Sequence, residues 1–259
     1  MAVKINRVGE KGINNFGSEM VIVNYRGCTD IDVYFPQYDW VYKGVQYSNF
    51  KRGNVKCPYE KRTYDIGYLG EGEYKTKENG KITRVYQTWN NMLRRCYDGE
   101  YHAKESTYID CIASEEFHNF QNFGCWDEDN FYEVKGERME LDKDILIKHN
   151  KIYSQDTCIY VPKTINNLFT KNDKYRGNLP IGTSLTKNGK YRTECQMINP
   201  ETGKTKKEYL GIYNTQEKAF EVYKYYKEKN IKEVADYFKG QIPSELYNGM
   251  YNYIVEITD

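Results

Sequence analysis

Residues 181–226 constrain the fold more than any other stretch of this chain. GTSLTKNGKYRTECQM (182–197) reads as two strands joined at Asn188-Gly189, a dipeptide that tolerates positive φ and predicts a type I′ hairpin. KKEYLGIY (206–213) supplies a third strand. In the second strand Tyr191, Thr193, Cys195 and Met197 alternate with Arg192, Glu194 and Gln196, so one face is expected to pack and the other to stay polar. Asn214, with Glu217 three residues on, predicts a capping box. Ala219, Tyr223 and Tyr226 follow at i, i+4 and i+7 and predict a helix lying on the sheet.

The rest of the chain reads as two further blocks, giving an α+β protein. Residues 1–58 carry the β-rich runs MVIVNY and DIDVYF and predict a small β domain. Residues 59–170 are mixed in pattern and read as a middle domain. Asn79-Gly80 marks a hairpin, and Val85, Trp89, Met92 and Cys96 form one apolar stripe of a helix over 84–97. FHNFQNFGCW predicts one shorter helix, MELDKDIL a strand, and 162–169 a last short helix. KNDKYRGNLP (171–180) reads as a polar linker into a third domain over 181–259.

Charge is unevenly placed although the net value is only +1. Residues 100–144 hold 13 acidic against 4 basic residues, and 171–208 hold 9 basic against 4 acidic. A basic C-terminal region points to a polyanionic partner. The 27 tyrosines, many of them a mark of nucleotide bias, also offer stacking faces. No run approaches the roughly 18 apolar residues of a membrane span, and the first residues lack an apolar leader segment. The expectation is a cytoplasmic protein with no membrane partner. Seven cysteines without a Cys-x-x-Cys pair argue for buried structural thiols and against a zinc centre.

KNGKYRTE followed by YLGIYNTQEKAFEVY resembles the three-strand-plus-helix DNA-binding domain of the plant ethylene-response-factor (APETALA) type, which also occurs in phage endonucleases. That resemblance implies double-stranded DNA as partner. It turns Lys190, Arg192, Glu194 and Gln196 toward the DNA and places Lys187 and Lys206 near phosphates, with Lys204 and Lys207 as further DNA-binding candidates. The family carries several Arg and Trp residues on that face, whereas this chain has Arg192 alone.

VYQTWNNMLRRCYD, FHNFQNF and LDKDI…NKIYSQDTCIYVP…INNLF, in that order, resemble phage HNH-type (His-Me finger) homing-endonuclease-like proteins, which implies a degenerate ββα-type fold for the middle domain (59–170). NNFGSEMVIVNYRG and YSNFKRGNVKCPY resemble the N-terminal part of the same group. Such a finger needs a histidine base and oxygen or nitrogen ligands for a divalent cation. Here Asp142 and Asp144 stand at the corresponding strand and are candidate Mg²⁺ ligands, expected to share one strand face. His149 is the nearby candidate base, set against the plainer reading of an exposed turn histidine. Asn166 or Asn167 is a candidate third ligand, and Thr157 stands where the finger has its asparagine. His102 and His118 are expected at loop or surface positions. Ser114-Glu115-Glu116-Phe117 stands where the related group has a Cys-Asp-Glu-Trp run, so a zinc staple is not expected.

The resemblance therefore implies a phage-type DNA-binding protein derived from a homing endonuclease, with weak or absent cutting, acting in an infected bacterial cell. Two alternatives stand beside it. One is an active Mg²⁺-dependent DNA endonuclease. The other is an anti-defence protein that binds and inhibits a host nuclease or CRISPR-type complex, for which the acidic 100–144 segment would supply the contact surface.

Overall fold

A computed structural model describes residues 6–170 and 179–257, so most of the expected linker (171–178) lies outside the described residues. The chain is α+β and divides into two compact units, Met1–Asp127 and Glu128–Asp259.

The first unit begins with a four-stranded antiparallel meander in the order β1 (Lys11–Ile13), β2 (Glu19–Gly27), β3 (Asp30–Phe35) and β4 (Trp40–Val45). Alternation in β2 and β3 turns Met20, Ile22, Ile31, Val33 and Phe35 inward, where α1 (Tyr47–Lys51) adds Phe50. A short hairpin of β5 (Lys77–Glu78) and β6 (Lys81–Ile82) turns on Asn79 and Gly80, with φ of 49° and 75°. Both values are positive, as a type I′ turn requires.

Helix α2 spans Arg84–Tyr97 and buries Trp89, Met92, Leu93 and Cys96. Thr83 caps it by accepting the Tyr86 N–H, and the Trp89 indole N–H donates to the Phe117 carbonyl at 2.8 Å. After α3 (Gly99–Lys104) and β7 (Ile112–Ala113), the helix expected over FHNFQNFGCW is two helices, α4 (Glu115–His118) and α5 (Phe120–Asn130). The break falls at Asn119, which is extended (φ −85°, ψ 120°) and whose Oδ1 accepts the Gln121 N–H at 2.9 Å. Phe117, Phe120 and Phe123 are nonetheless all buried. His118, expected at the surface, is half-buried. Its Nε2 lies 3.2 Å from the Tyr97 hydroxyl and 3.1 Å from the Ala113 carbonyl, and burial lowers its pKa. His102 is half-buried in α3, with Nε2 2.8 Å from the Arg95 carbonyl.

The second unit opens with β8 (Met139–Asp142), β9 (Ile152–Tyr153), β10 (Ile159–Pro162) and α6 (Lys163–Phe169). β8 and β10 pair antiparallel, with Leu141 opposite Tyr160, and lead into α6 in a ββα order. A three-stranded antiparallel sheet follows, ordered β11 (Thr183–Leu185), β12 (Tyr191–Ile198) and β13 (Thr205–Tyr213), then α7 (Gln216–Tyr237) and α8 (Ser244–Tyr251). One apolar core serves both parts: Ile159, Val161, Ile165 and Leu168 from the ββα segment join Cys195, Ile198, Phe220, Ile231 and Val234.

Three local expectations are corrected. The β11–β12 connection is not type I′, because only Gly189 of the pair has a positive φ (73°). The Gly189 N–H donates to Thr186 O and the Thr186 N–H to Lys190 O, the pattern of a type I turn followed by a glycine bulge. The cap of α7 is Thr215, whose Oγ1 accepts the Lys218 N–H, rather than Asn214. Tyr226 is 37% exposed, while Ala219 and Tyr223 pack as expected. Gly182 (φ 74°) lies so close to the Tyr223 ring that a Cβ there would overlap it, which seats β11 on α7.

Of the cysteines, Cys57, Cys96, Cys111, Cys158 and Cys195 are buried, whereas Cys28 and Cys125 are exposed, contrary to a uniformly structural role. No helix among the described residues is long and apolar enough to cross a membrane.

Candidate nucleic-acid interface

The register of the three-stranded sheet defines one open face. Ser184, Arg192 and Ile212 stand in one row, Glu194 faces Tyr209 in the next, and Gln196 faces Lys207 in the third. The other face of β12 sends Thr193 and Cys195 into the core at 0% exposure. Asn230 of α7 fixes the end of that strand: its Oδ1 accepts the Ile198 N–H at 2.8 Å and its Nδ2 donates to the Ile198 carbonyl at 3.0 Å. Both backbone groups of a buried residue are thereby satisfied from a helix. Asn230 escaped the sequence reading, although a buried polar residue interrupting the apolar stripe of α7 is its signal.

A bulge in β13 sets what the open face displays. The pairing shifts between Thr193/Gly211 and Glu194/Tyr209, leaving Leu210 unopposed. Simple alternation would put Tyr209 and Ile212 on opposite faces. The extra residue brings both onto the open face, where they are 57% and 49% exposed, and lets Leu210 pack on the core. The Arg192 guanidinium sits over the Tyr209 ring, 5.4 Å from its centroid.

The expected contact residues are accordingly divided. Arg192, Glu194, Gln196 and Lys207 share the open face. Lys206 pairs in register with Met197 and so belongs to the opposite face of β13, where it bonds Glu208 at 3.0 Å. Lys187 and Lys190 are exposed at the β11–β12 turn, and Lys204 is exposed at the β12–β13 turn. These turns lie at opposite ends of β12, whose eight residues span about 26 Å at ~3.3 Å per residue. Glu194 lies between the two cations of the face. It bonds Lys207 Nζ at 2.5 Å and pairs with Arg192, and these contacts, Lys207 first, hold its carboxyl below the usual glutamate value.

The ββα segment arranges its polar residues differently. β8 ends at Asp142, so Asp144 lies beyond the strand and the expected common strand face does not form. Asp142 Oδ1 accepts the N–H groups of Asp144 at 2.9 Å and Ile145 at 2.7 Å, closing a turn. Burial, with Asp144 as the second cause, raises the Asp142 carboxyl to about 6. Asp144 bonds Lys143 Nζ at 3.0 Å. Cys158 is buried nearby and its thiol is pushed up to about 12, chiefly by burial, with Asp142 adding to the shift.

Asn166 Nδ2 donates to Glu140 Oε2 at 2.5 Å, which ties α6 to β8. Thr157 Oγ1 donates to the Ile152 carbonyl at 2.7 Å and closes the loop before β10. His149 occupies a turn at φ 63°, with its side chain 62% exposed and Nε2 4.0 Å from Glu256. Asp142 and Asp144 are thus brought together, whereas Asn166 is engaged by Glu140. Among the described residues no group of three or more His, Cys, Asp or Glu is disposed to hold a metal ion.

Comparison with protein-family models, curated proteins and solved structures finds no match to this chain.

Proposed function

We propose that the chain binds double-stranded DNA through the open face of its C-terminal sheet and cuts it weakly or not at all. The observation carrying this reading is the placement of Arg192, Gln196, Lys207 and Tyr209 on a face turned away from the core, with Lys187 and Lys190 at one end and Lys204 at the other. A small sheet of this kind fits the major groove, whose width is about 12 Å. Lysines some 26 Å apart would meet phosphates about seven or eight base pairs apart at ~3.4 Å per step. With a single arginine on the face, phosphate contacts supply most of the affinity and base reading little.

A second reading, metal-dependent cutting, is favoured by the closeness of Asp142 and Asp144, the residues that would hold Mg²⁺. Against efficient cutting stand the two backbone N–H groups already on Asp142 Oδ1 and the pairing of Asn166 with Glu140. The two readings separate in one series of measurements. Gel shifts across salt should give log affinity falling linearly with log salt, by about 0.9 per phosphate contacted. A flat response rules out the DNA reading and leaves an inhibitory protein contact through the acidic 100–144 segment. Supercoiled plasmid with Mg²⁺ or Mn²⁺ should remain largely intact. Rapid nicking that disappears in Asp144→Ala would establish the second reading.

A further inference from the structure

Lys227 of α7 is set apart from the other lysines of its helix. It lies between the buried residues Tyr223 and Ile231, four positions away on either side. It borders an open cavity of ≈ 40 Å³ whose walls include Leu168, Phe169, Ile181, Tyr253 and Val255. That space equals about three water molecules at ~10–15 Å³ each, room for a carboxylate with a short tail.

Lys227 has no carboxylate in ion-pairing distance among the described residues. The helix positions three and four away hold Tyr223, Lys224, Asn230 and Ile231, none of them acidic. The adjacent Glu228 is occupied, accepting the Val255 N–H at 2.9 Å and pairing with Lys224 at 3.5 Å. Lys224 shows the ordinary solution to the same problem: its Nζ reaches the Val255 carbonyl at 2.9 Å. Burial lowers the Lys227 pKa, and the nearby Cys195 thiol, pushed up to about 11 by its own burial, stays neutral. A cation withdrawn from water without a counter-charge is costly, and an anion entering its pocket offsets that cost.

We propose that this cavity binds a small carboxylate with a short apolar tail, the carboxylate on Lys227 and the tail against Phe169, Ile181 and Tyr253. The walls select between oxyanions. A phosphate is more strongly hydrated and has no apolar part, whereas the tail of a carboxylate meets Leu168, Phe169, Ile181 and Val255 in the walls. The proposal is independent of DNA binding.

Butyrate and inorganic phosphate are the probes, added at matched ionic strength to the full chain labelled at Ile, Leu and Val methyls. Butyrate should shift the Leu168, Ile181 and Val255 methyl signals saturably at millimolar concentration, in the wild type and in Lys227→Arg. Lys227→Gln should keep the rest of the methyl spectrum and lose the response. Phosphate should leave these signals in place. The proposal fails if butyrate gives no saturable shift, if Lys227→Gln responds like the wild type, or if phosphate acts equally well. Should Lys227→Gln alter the whole spectrum, Lys227→Met serves in its place with the same outcomes.

Discussion

The ββα segment and the three-stranded sheet lie in one unit, share one apolar core, and treat their polar side chains in opposite ways. In the ββα segment Asp142 holds two backbone N–H groups, Asn166 ties α6 to β8, and Thr157 closes a loop. Polar residues there stabilise the backbone that carries them. On the open sheet face the backbone is already satisfied by the strand ladder and by Asn230, so Gln196 stays exposed, and Arg192 and Lys207 are held by Glu194 in surface ion pairs that an anionic partner can replace. Residue type alone does not separate a ligand from a strut. What separates them is whether the local backbone has donors that the side chain must satisfy.

The largest expected effect tests the support of the sheet. Asn230→Ala leaves the N–H and carbonyl of Ile198 buried without partners, at about 1–3 kcal/mol each. A urea denaturation series should show a loss of that order, well beyond the loss from Gln196→Ala on the open face. Equal effects would mean that the clamp does not hold β12.

Next comes the availability of the lysines. Replacing Lys187, Lys190, Lys204 and Lys207 together by Ala should flatten the salt dependence of DNA binding by about four, one for each phosphate contact. All four are exposed, so the unfolding midpoint should hardly move. An unchanged slope would remove the basis for contrasting the two regions.

The third test addresses the turn at Asp142. Its folded carboxyl lies near 6, above the usual aspartate value, so ionising it disfavours the folded state. The associated stability is present in acid and is lost as pH rises through about 6. Asp142→Asn keeps the Oδ1 acceptor and removes the titration. Its melting temperature relative to wild type should therefore rise from mildly acidic to mildly alkaline buffer. A difference that does not vary with pH would show that the carboxyl titrates normally.

The smallest effect concerns Glu194. Surface ion pairs contribute up to about 1 kcal/mol, so Glu194→Gln, by releasing Arg192 and Lys207, should raise DNA affinity by less than about fivefold. A loss of affinity instead would give Glu194 a base-reading role, accepting from a cytosine amino group.

Much of the fold was legible in the sequence. The stripe of Trp89, Met92 and Cys96 located α2, Asn79-Gly80 located a type I′ turn, and alternation in β12 separated Thr193 and Cys195 from Arg192 and Gln196. The candidate site was less legible. Asp142 and Asp144 read as a shared strand face because nothing in LDKDI announces that the strand ends at Asp142. Asn188-Gly189 read as type I′, yet the same residues suit a type I turn with a glycine bulge, and only the strands' geometry selects between them.

By itself the sequence determined the approximate positions of α2, α7, β2, β3 and β12 and the apolar face of β12, because those follow from local spacing and side-chain chemistry. Only the tertiary structure decided which polar residues remain available. The bulge that brings Ile212 beside Tyr209 arises from pairing across the sheet. The Asn230 clamp joins residues 32 positions apart. The pocket beside Lys227 is assembled from α6, α7 and the C-terminal segment. Each depends on backbone groups meeting partners distant in the chain, and no local spacing encodes that.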